Sequence, residues 1–239
     1  MAVKIHLQAL QQAIDSLCFR LLSFGLGLTL GLAAFTTPIE ARAANGFESF
    51  EDAELLDKLA FKVAREYANQ YKFRFQFKFV EKESARLSPL LVQYQSSSKN
   101  CIFWISPKEE SWHSFENYLR FFDGLPKQVV YEAFFAHEAG HCVQFREEIY
   151  FGSEENGTRQ ELFSDVFALS HVERHFPTWR VAFQNSLLNM RRVERGMGSS
   201  YDFAQDLQRF TRSRDFVSVL RLKEPGERAF MMAKVIDLL

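Results

Sequence analysis

The chain changes its hydrophobic pattern twice downstream of residue 50, from helical to strand-like and back to helical. In residues 51–70, apolar side chains recur at helical spacing with charged residues between them, which predicts an amphipathic helix. From Tyr71 to Phe79, aromatic and polar residues alternate. A period of two predicts a strand with one buried and one solvent-facing side.

Two more strands are predicted at 89–95 and 101–106, and the turn-like sequence SSSKN between them indicates a hairpin. After Pro107 the pattern is helical. These features predict an α+β fold, in which an N-terminal helix and a small sheet of about three strands pack on the helix expected at 127–148. A helical C-terminal half follows, with helices expected at 114–122, 127–148, 158–175, 178–194 and 201–211 and a final pair around Pro225.

The first 43 residues are expected to be a signal peptide. An uncharged apolar run, 21–35, is followed by Ala41 and Ala43 in the small-x-small pattern of a signal-peptidase site. The run is shorter than the roughly 20 residues that a membrane-spanning helix needs. We therefore predict cleavage after Ala43, a single domain over 44–239, no stable membrane insertion and an exported location, periplasmic or secreted. Retention as a signal anchor is the alternative.

Composition argues against one class of binding partner and leaves the pairing of the cysteines open. The 239 residues are 47% hydrophobic and 25% charged, with a formal net charge of −1. Because no basic stripe is present, a nucleic acid is not an expected partner. Only Cys101 and Cys142 follow the predicted leader. In an oxidising compartment they either form a disulfide or remain as two buried thiols, and the sequence leaves both alternatives open.

The helix predicted from Lys127 contains AFFAHEAGHCVQF, in which two histidines lie four residues apart. At this spacing the side chains of His137 and His141 differ in direction by only about 40°, so both imidazoles can reach one ion. Glu138 lies beside them, where its carboxylate can face water rather than the metal. The segment therefore predicts a metal-binding helix.

A metal site of this type needs a third protein ligand and keeps one position open. Glu161 lies in the next predicted helix, and Asp165 follows one turn later on the same face. A polar, glycine-containing stretch separates the two helices, so the second helix can fold back against the first.

The whole constellation resembles the signature of the gluzincin metallopeptidases, and of their thermolysin-like branch in particular. The matching pattern is His137-Glu138-x-x-His141, a 19-residue spacer and then Glu161-x-x-Ser164-Asp165. The chain is too short for the large second domain of a thermolysin-like protease. It looks more like the reduced, single-domain members called minigluzincins, whose sheet-and-helix arrangement agrees with the pattern above.

The resemblance implies a role for each matching residue. His137, His141 and Glu161 would bind one zinc ion, and Glu138 would be the general base that activates water. Asp165 would orient His137, and Gln160 stands where the family has an amide that supports the second histidine.

The resemblance also implies an oxyanion donor and a strand that binds the substrate. Our candidate donor is Tyr201, which follows the glycine-rich RGMGSS, with His171 and His175 as further candidates. By its position, the strand at 101–106 is expected to be the sheet edge that pairs with an extended peptide.

These features predict an exported zinc metallopeptidase that hydrolyses peptide bonds in a peptide or protein substrate. The first alternative is a non-catalytic or latent zinc-binding regulatory module of the cell envelope. A second alternative is a structural or interaction protein in which the histidines are incidental.

Overall fold

The computed structural model describes residues 53–79, 90–105, 115–151, 156–196, 204–213 and 215–237. The expected signal peptide lies outside the described residues, so its cleavage stays a prediction.

The alternating stretch divides between a helix and a strand. Helix α1 spans Ala53–Tyr71, and strand β1 spans Arg74–Phe79. Lys72 has a φ of 56°, and the Phe73 N–H donates to the Ala68 carbonyl at 3.2 Å. This is a left-handed helix end closed by its own backbone, so our expectation that the strand begins at Tyr71 was wrong by three residues.

The sheet has three strands, β1, β2 (Leu90–Gln95) and β3 (Asn100–Ile105). The predicted hairpin is confirmed, because β2 pairs antiparallel with β3. However, β1 pairs in parallel with β3, which gives the order β1-β3-β2. Our prediction that 101–106 forms an edge is therefore wrong, since β3 has a hydrogen-bonded neighbour on each side.

The helical half begins with a short segment at 115–119 that runs into a 3-10 turn at Arg120–Phe122. The remaining α-helices of the described chain are α2 (Lys127–Arg146), α3 (Asn156–His175), α4 (Arg180–Gly196), α5 (Ala204–Arg212), α6 (Phe216–Leu220) and α7 (Pro225–Asp237). The α+β prediction is confirmed. Among the described residues, no helix is both long enough and apolar enough to cross a membrane.

Helix α2 lies at the centre of the fold and has buried residues almost all round, as expected for a helix enclosed by other elements. It packs against α1, α3 and β2. At its contact with α3, an added Cβ on Gly140 would lie 3.2 Å from the Ser164 Cα and 3.1 Å from the Phe167 Cβ. The absence of a side chain at Gly140 therefore permits the close approach of α2 to α3.

A disulfide ties the sheet to the same helix. Cys101 on β3 is bonded to Cys142 on α2, with their Cα atoms 5.9 Å apart. Of the two alternatives that the sequence left open, the structure has the bridge. It attaches the central strand to the residue directly after His141.

Candidate metal centre

Side chains from α2 and α3 bring three donor atoms together. One ring nitrogen each from His137 and His141 and one carboxylate oxygen of Glu161 lie within 4.8 Å of one another. His137 Nε2 is 3.3 Å from Glu161 Oε2, and His141 Nε2 is 3.5 Å from Glu161 Oε1. The three predicted ligands therefore face one point and could hold a metal ion.

The local sequence explains this convergence. The four-residue spacing places both imidazoles on one face of α2, and the contact at Gly140 brings α3 close enough for Glu161 to reach them. The side chains of His137 and Glu161 are 14% and 26% exposed, so the donors are shielded but remain open to a ligand from solvent.

Asp165 lies behind His137, as the resemblance implied. Its Oδ1 is 2.9 Å from His137 Nδ1, and its side chain is only 1% exposed. A carboxylate at Nδ1 fixes the ring orientation and directs Nε2 towards the donor cluster. The structure therefore places Asp165 where it can position His137.

Arg191 on α4 is part of the centre, although sequence reasoning missed it. It donates from Nε to Asp165 Oδ2 and from Nη2 to Asp165 Oδ1, both at 2.8 Å. Its Nη2 also lies 3.8 Å from Glu161 Oε2. This bidentate ion pair holds the buried Asp165 carboxylate in one orientation. The sequence shows three arginines on this part of α4, at 191, 192 and 195, and helical spacing alone does not distinguish among them.

The two histidines differ in their affinity for protons. Burial acts to lower the pKa of His137, but its hydrogen bonds to the Asp165 and Glu161 carboxylates raise that pKa to about 10. Burial and the nearby positive charge of His137 lower the pKa of His141 to about 4. His141 is therefore neutral at pH 7, as a metal ligand must be, and a cation binding at His137 would displace the Nε2 proton.

Both carboxylates are ionised at neutral pH. Burial opposes this, but the hydrogen bond and positive charge of His137, the charge that His141 carries below its own pKa, and Arg191 lower the pKa of Glu161 to about 2. For Asp165, Arg191 and then His137 outweigh burial in the same way and lower its pKa to about 2. An ionised Glu161 carboxylate therefore lies at the point where the imidazoles converge.

Glu138 has a different electrostatic setting. It is 8% exposed, and burial raises its pKa to about 7, with opposing effects from the charges of His137 and Glu161. The Glu138 carboxylate therefore interacts electrostatically with His137 and Glu161, although it is not one of the three converging donors. A pKa near 7 suits a group that takes and returns a proton at neutral pH.

The other site predictions have mixed outcomes. Gln160 lies on α3 beside Glu161, and its support of His141 stays a prediction. Tyr201 lies outside the described residues, so its role as oxyanion donor is untested. His171 and His175 belong to another cluster, where they contact Tyr67, Glu132 and Glu66.

Replacing Arg191 by Met is expected to weaken metal binding by roughly 10- to 100-fold, the usual effect of losing a group that orients a ligand. Without Arg191, the Asp165 carboxylate loses its fixed orientation, and with it the constraint on the His137 ring. Zinc titration of the variant in competition with a chelator measures the change. The matched control is Arg192→Met, which removes the same charge from the neighbouring exposed position. Equal affinities for the two variants would contradict this role of Arg191.

Compared with protein-family models, with curated proteins and with solved structures, the chain gives no match.

Proposed function

We propose that this protein is an exported zinc metallopeptidase of the gluzincin type, which hydrolyses peptide bonds. The observation that carries the proposal is the convergence of His137, His141 and Glu161 from two packed helices. Glu138 lies on the same helix as the histidines, and its carboxylate interacts electrostatically with His137 and Glu161.

The donor set suits zinc. Two neutral imidazoles and one carboxylate, with a further coordination position left over, are the ligands of many catalytic zinc sites. A zinc ion bound there would supply Lewis-acid chemistry, by polarising a peptide carbonyl and making water more acidic. The same ligands also suit neighbouring divalent transition ions, so the identity of the metal is part of the proposal.

Glu138 would act as the proton carrier. Burial raises its pKa to about 7, and a cation bound nearby would lower that pKa, because a positive charge favours the ionised form. The carboxylate would then accept a proton from the attacking water and donate it to the leaving amine. Asp165 and Arg191 would hold His137 in place during this cycle without contacting the substrate.

The substrate would pair with β2 rather than with β3. Among the described strands β2 is an edge of the sheet, and it packs against α2, which carries His137 and His141. An extended peptide added to this edge would run beside the metal centre and would gain backbone hydrogen bonds that do not depend on its sequence. Side chains outside the strand would then determine cleavage preference.

The disulfide supports an exported location. Cys101 and Cys142 are bonded, and such bridges persist mainly in secreted and periplasmic compartments. This agrees with the signal peptide that we predict from residues 1–43.

Unbiased peptide-library profiling tests the proposal. The purified protein is expected to cleave a subset of peptides, to lose this activity on treatment with a zinc chelator and to regain it on addition of about one equivalent of zinc, since such a site binds one ion. Cleavage that survives complete metal removal would contradict it. A preparation that binds zinc at this site but cleaves no peptide would favour the non-catalytic module instead.

A further inference from the structure

The described residues contain one other group whose histidine and carboxylate atoms lie within 4.8 Å of one another, formed by Glu66, His171 and His175. We call it the second cluster. Its donor types are those of the first centre, two imidazoles and one carboxylate. None of its residues has a role in the proposed hydrolysis.

The second cluster repeats the construction of the first. His171 and His175 are four residues apart on α3, with ring centroids 4.4 Å apart. Glu66 comes from α1, and its Oε1 lies 3.0 Å from His175 Nε2. Four-residue spacing on one helix with a carboxylate from a facing helix is the arrangement that brings three ligands to one ion.

A second carboxylate stands behind the buried histidine, as Asp165 stands behind His137. His171 Nε2 lies 3.1 Å from Glu132 Oε2, and both side chains are fully buried. Lys62 Nζ and Gln128 Nε2 also donate to Glu132 Oε1, at 2.6 and 2.8 Å, and the Lys62 charge favours an ionised carboxylate. An ionised Glu132 only accepts hydrogen bonds, so His171 donates from Nε2.

The other ring nitrogen of His171 is therefore an electron-pair donor. With its proton on Nε2, where the Glu132 carboxylate accepts it, the neutral imidazole has its lone pair on Nδ1. The Tyr67 hydroxyl, at 2.8 Å, donates to this nitrogen. A carboxylate at one nitrogen and a lone pair at the other is the usual state of an imidazole that binds a metal.

Cations of the protein already compete for these carboxylates. Arg174 Nη2 lies 2.7 Å from Glu66 Oε1, and Lys62 Nζ lies 2.6 Å from Glu132 Oε1. A metal ion bound here would compete with Arg174 for Glu66 and, at His171 Nδ1, with the Tyr67 hydroxyl. In the first centre Arg191 donates to Asp165, behind the ligands, and stays 3.8 Å from the Glu161 carboxylate, whereas Arg174 lies directly on Glu66. We therefore expect the second cluster to be the weaker of the two.

We propose that Glu66, His171 and His175 form a second, weaker site for a divalent transition-metal ion, which links α1 to α3. Imidazole and carboxylate ligands select zinc and its neighbours in preference to calcium or magnesium. The side chain of His175 is 30% exposed, which gives the ion a path from solvent. This site does not depend on the proposed peptidase activity, because it shares no residue with the first centre.

Equilibrium dialysis of the purified protein against zinc tests the proposal. We expect one tightly and one weakly bound ion in the wild type, because each cluster offers ligands for one. His175→Gln should lose only the weak ion, and its tight ion serves as evidence that the variant is folded. His141→Gln should lose only the tight one. Glu66→Gln should also lose only the weak ion, and its matched control is Glu227→Gln, at an exposed position on α7.

Arg174→Gln provides an independent test, because it should strengthen rather than weaken metal binding at the second cluster. It frees Glu66 from its partner and should tighten the weak site by roughly two- to fivefold, the contribution of a partly exposed ion pair. A single bound zinc in the wild type at saturation would overturn the proposal. So would a second ion that persists in both His175→Gln and Glu66→Gln, or a weak site whose affinity Arg174→Gln leaves unchanged.

Discussion

Replacing Glu138 by Gln is expected to reduce peptide hydrolysis by roughly 10²- to 10⁴-fold, the range usual for the loss of a general base. Gln has nearly the same shape as Glu, but its amide cannot accept a proton from water at neutral pH. Hydrolysis rates of the best substrate from library profiling, compared with those of the parent, measure the effect.

The metal content of this variant should not change. Glu138 is outside the group of three converging donors, so Glu138→Gln leaves His137, His141 and Glu161 in place. Elemental analysis is expected to find as much zinc as in the parent. The matched control is Glu148→Gln, at an exposed position just beyond the C-terminal end of α2, which should cleave normally. If Glu138→Gln cleaves as fast as the parent, the assignment of the base is wrong.

Removing the disulfide should have the largest effect on stability. The double variant Cys101→Ser, Cys142→Ser is expected to lower the free energy of unfolding by about 4 kcal/mol, the chain-entropy value for residues separated by 41 positions in the sequence. Both cysteines are fully buried in the parent, so two buried hydroxyls add to the loss. Denaturant unfolding followed by circular dichroism measures the change.

Reduction supplies the control for this experiment. A reductant that opens the bridge in the parent should reproduce most of the loss, whereas the double variant should not respond to it. Because Cys142 follows His141 directly, the variant is also expected to bind zinc less tightly. Unfolding of parent and double variant at the same denaturant concentration would show that the bridge does not stabilise the fold.

Much of the fold followed from periodicity in the sequence. Helix α1 and strand β1 could be predicted because their hydrophobic patterns reflect local geometry, with 3.6 and 2 residues per repeat. Strand order could not be predicted in this way. The parallel pairing of β1 with β3, which places β3 between β1 and β2, joins segments that are distant in sequence. The hydrophobic pattern of a single strand does not indicate which other strand it pairs with.

In the candidate metal centre, too, features set by local spacing could be predicted, and features set by the packing of distant segments could not. The spacing of His137 and His141 fixes their relative direction on one helix, and the placement of Glu161 and Asp165 on α3 agrees with the motif. Arg191 was missed because it reaches Asp165 from a third helix, 26 residues further along the chain. The disulfide remained open for a related reason, since a 5.9 Å separation between Cα atoms depends on how β3 packs beside α2.

An anomalous diffraction map at the zinc edge would show whether His137, His141 and Glu161 form a metal centre that is open to substrate. We expect one strong peak between the two Nε2 atoms and the Glu161 carboxylate, with a solvent molecule rather than a protein side chain in the remaining coordination position. The absence of a peak at these residues, or a fourth protein ligand that closes the site, would contradict this expectation.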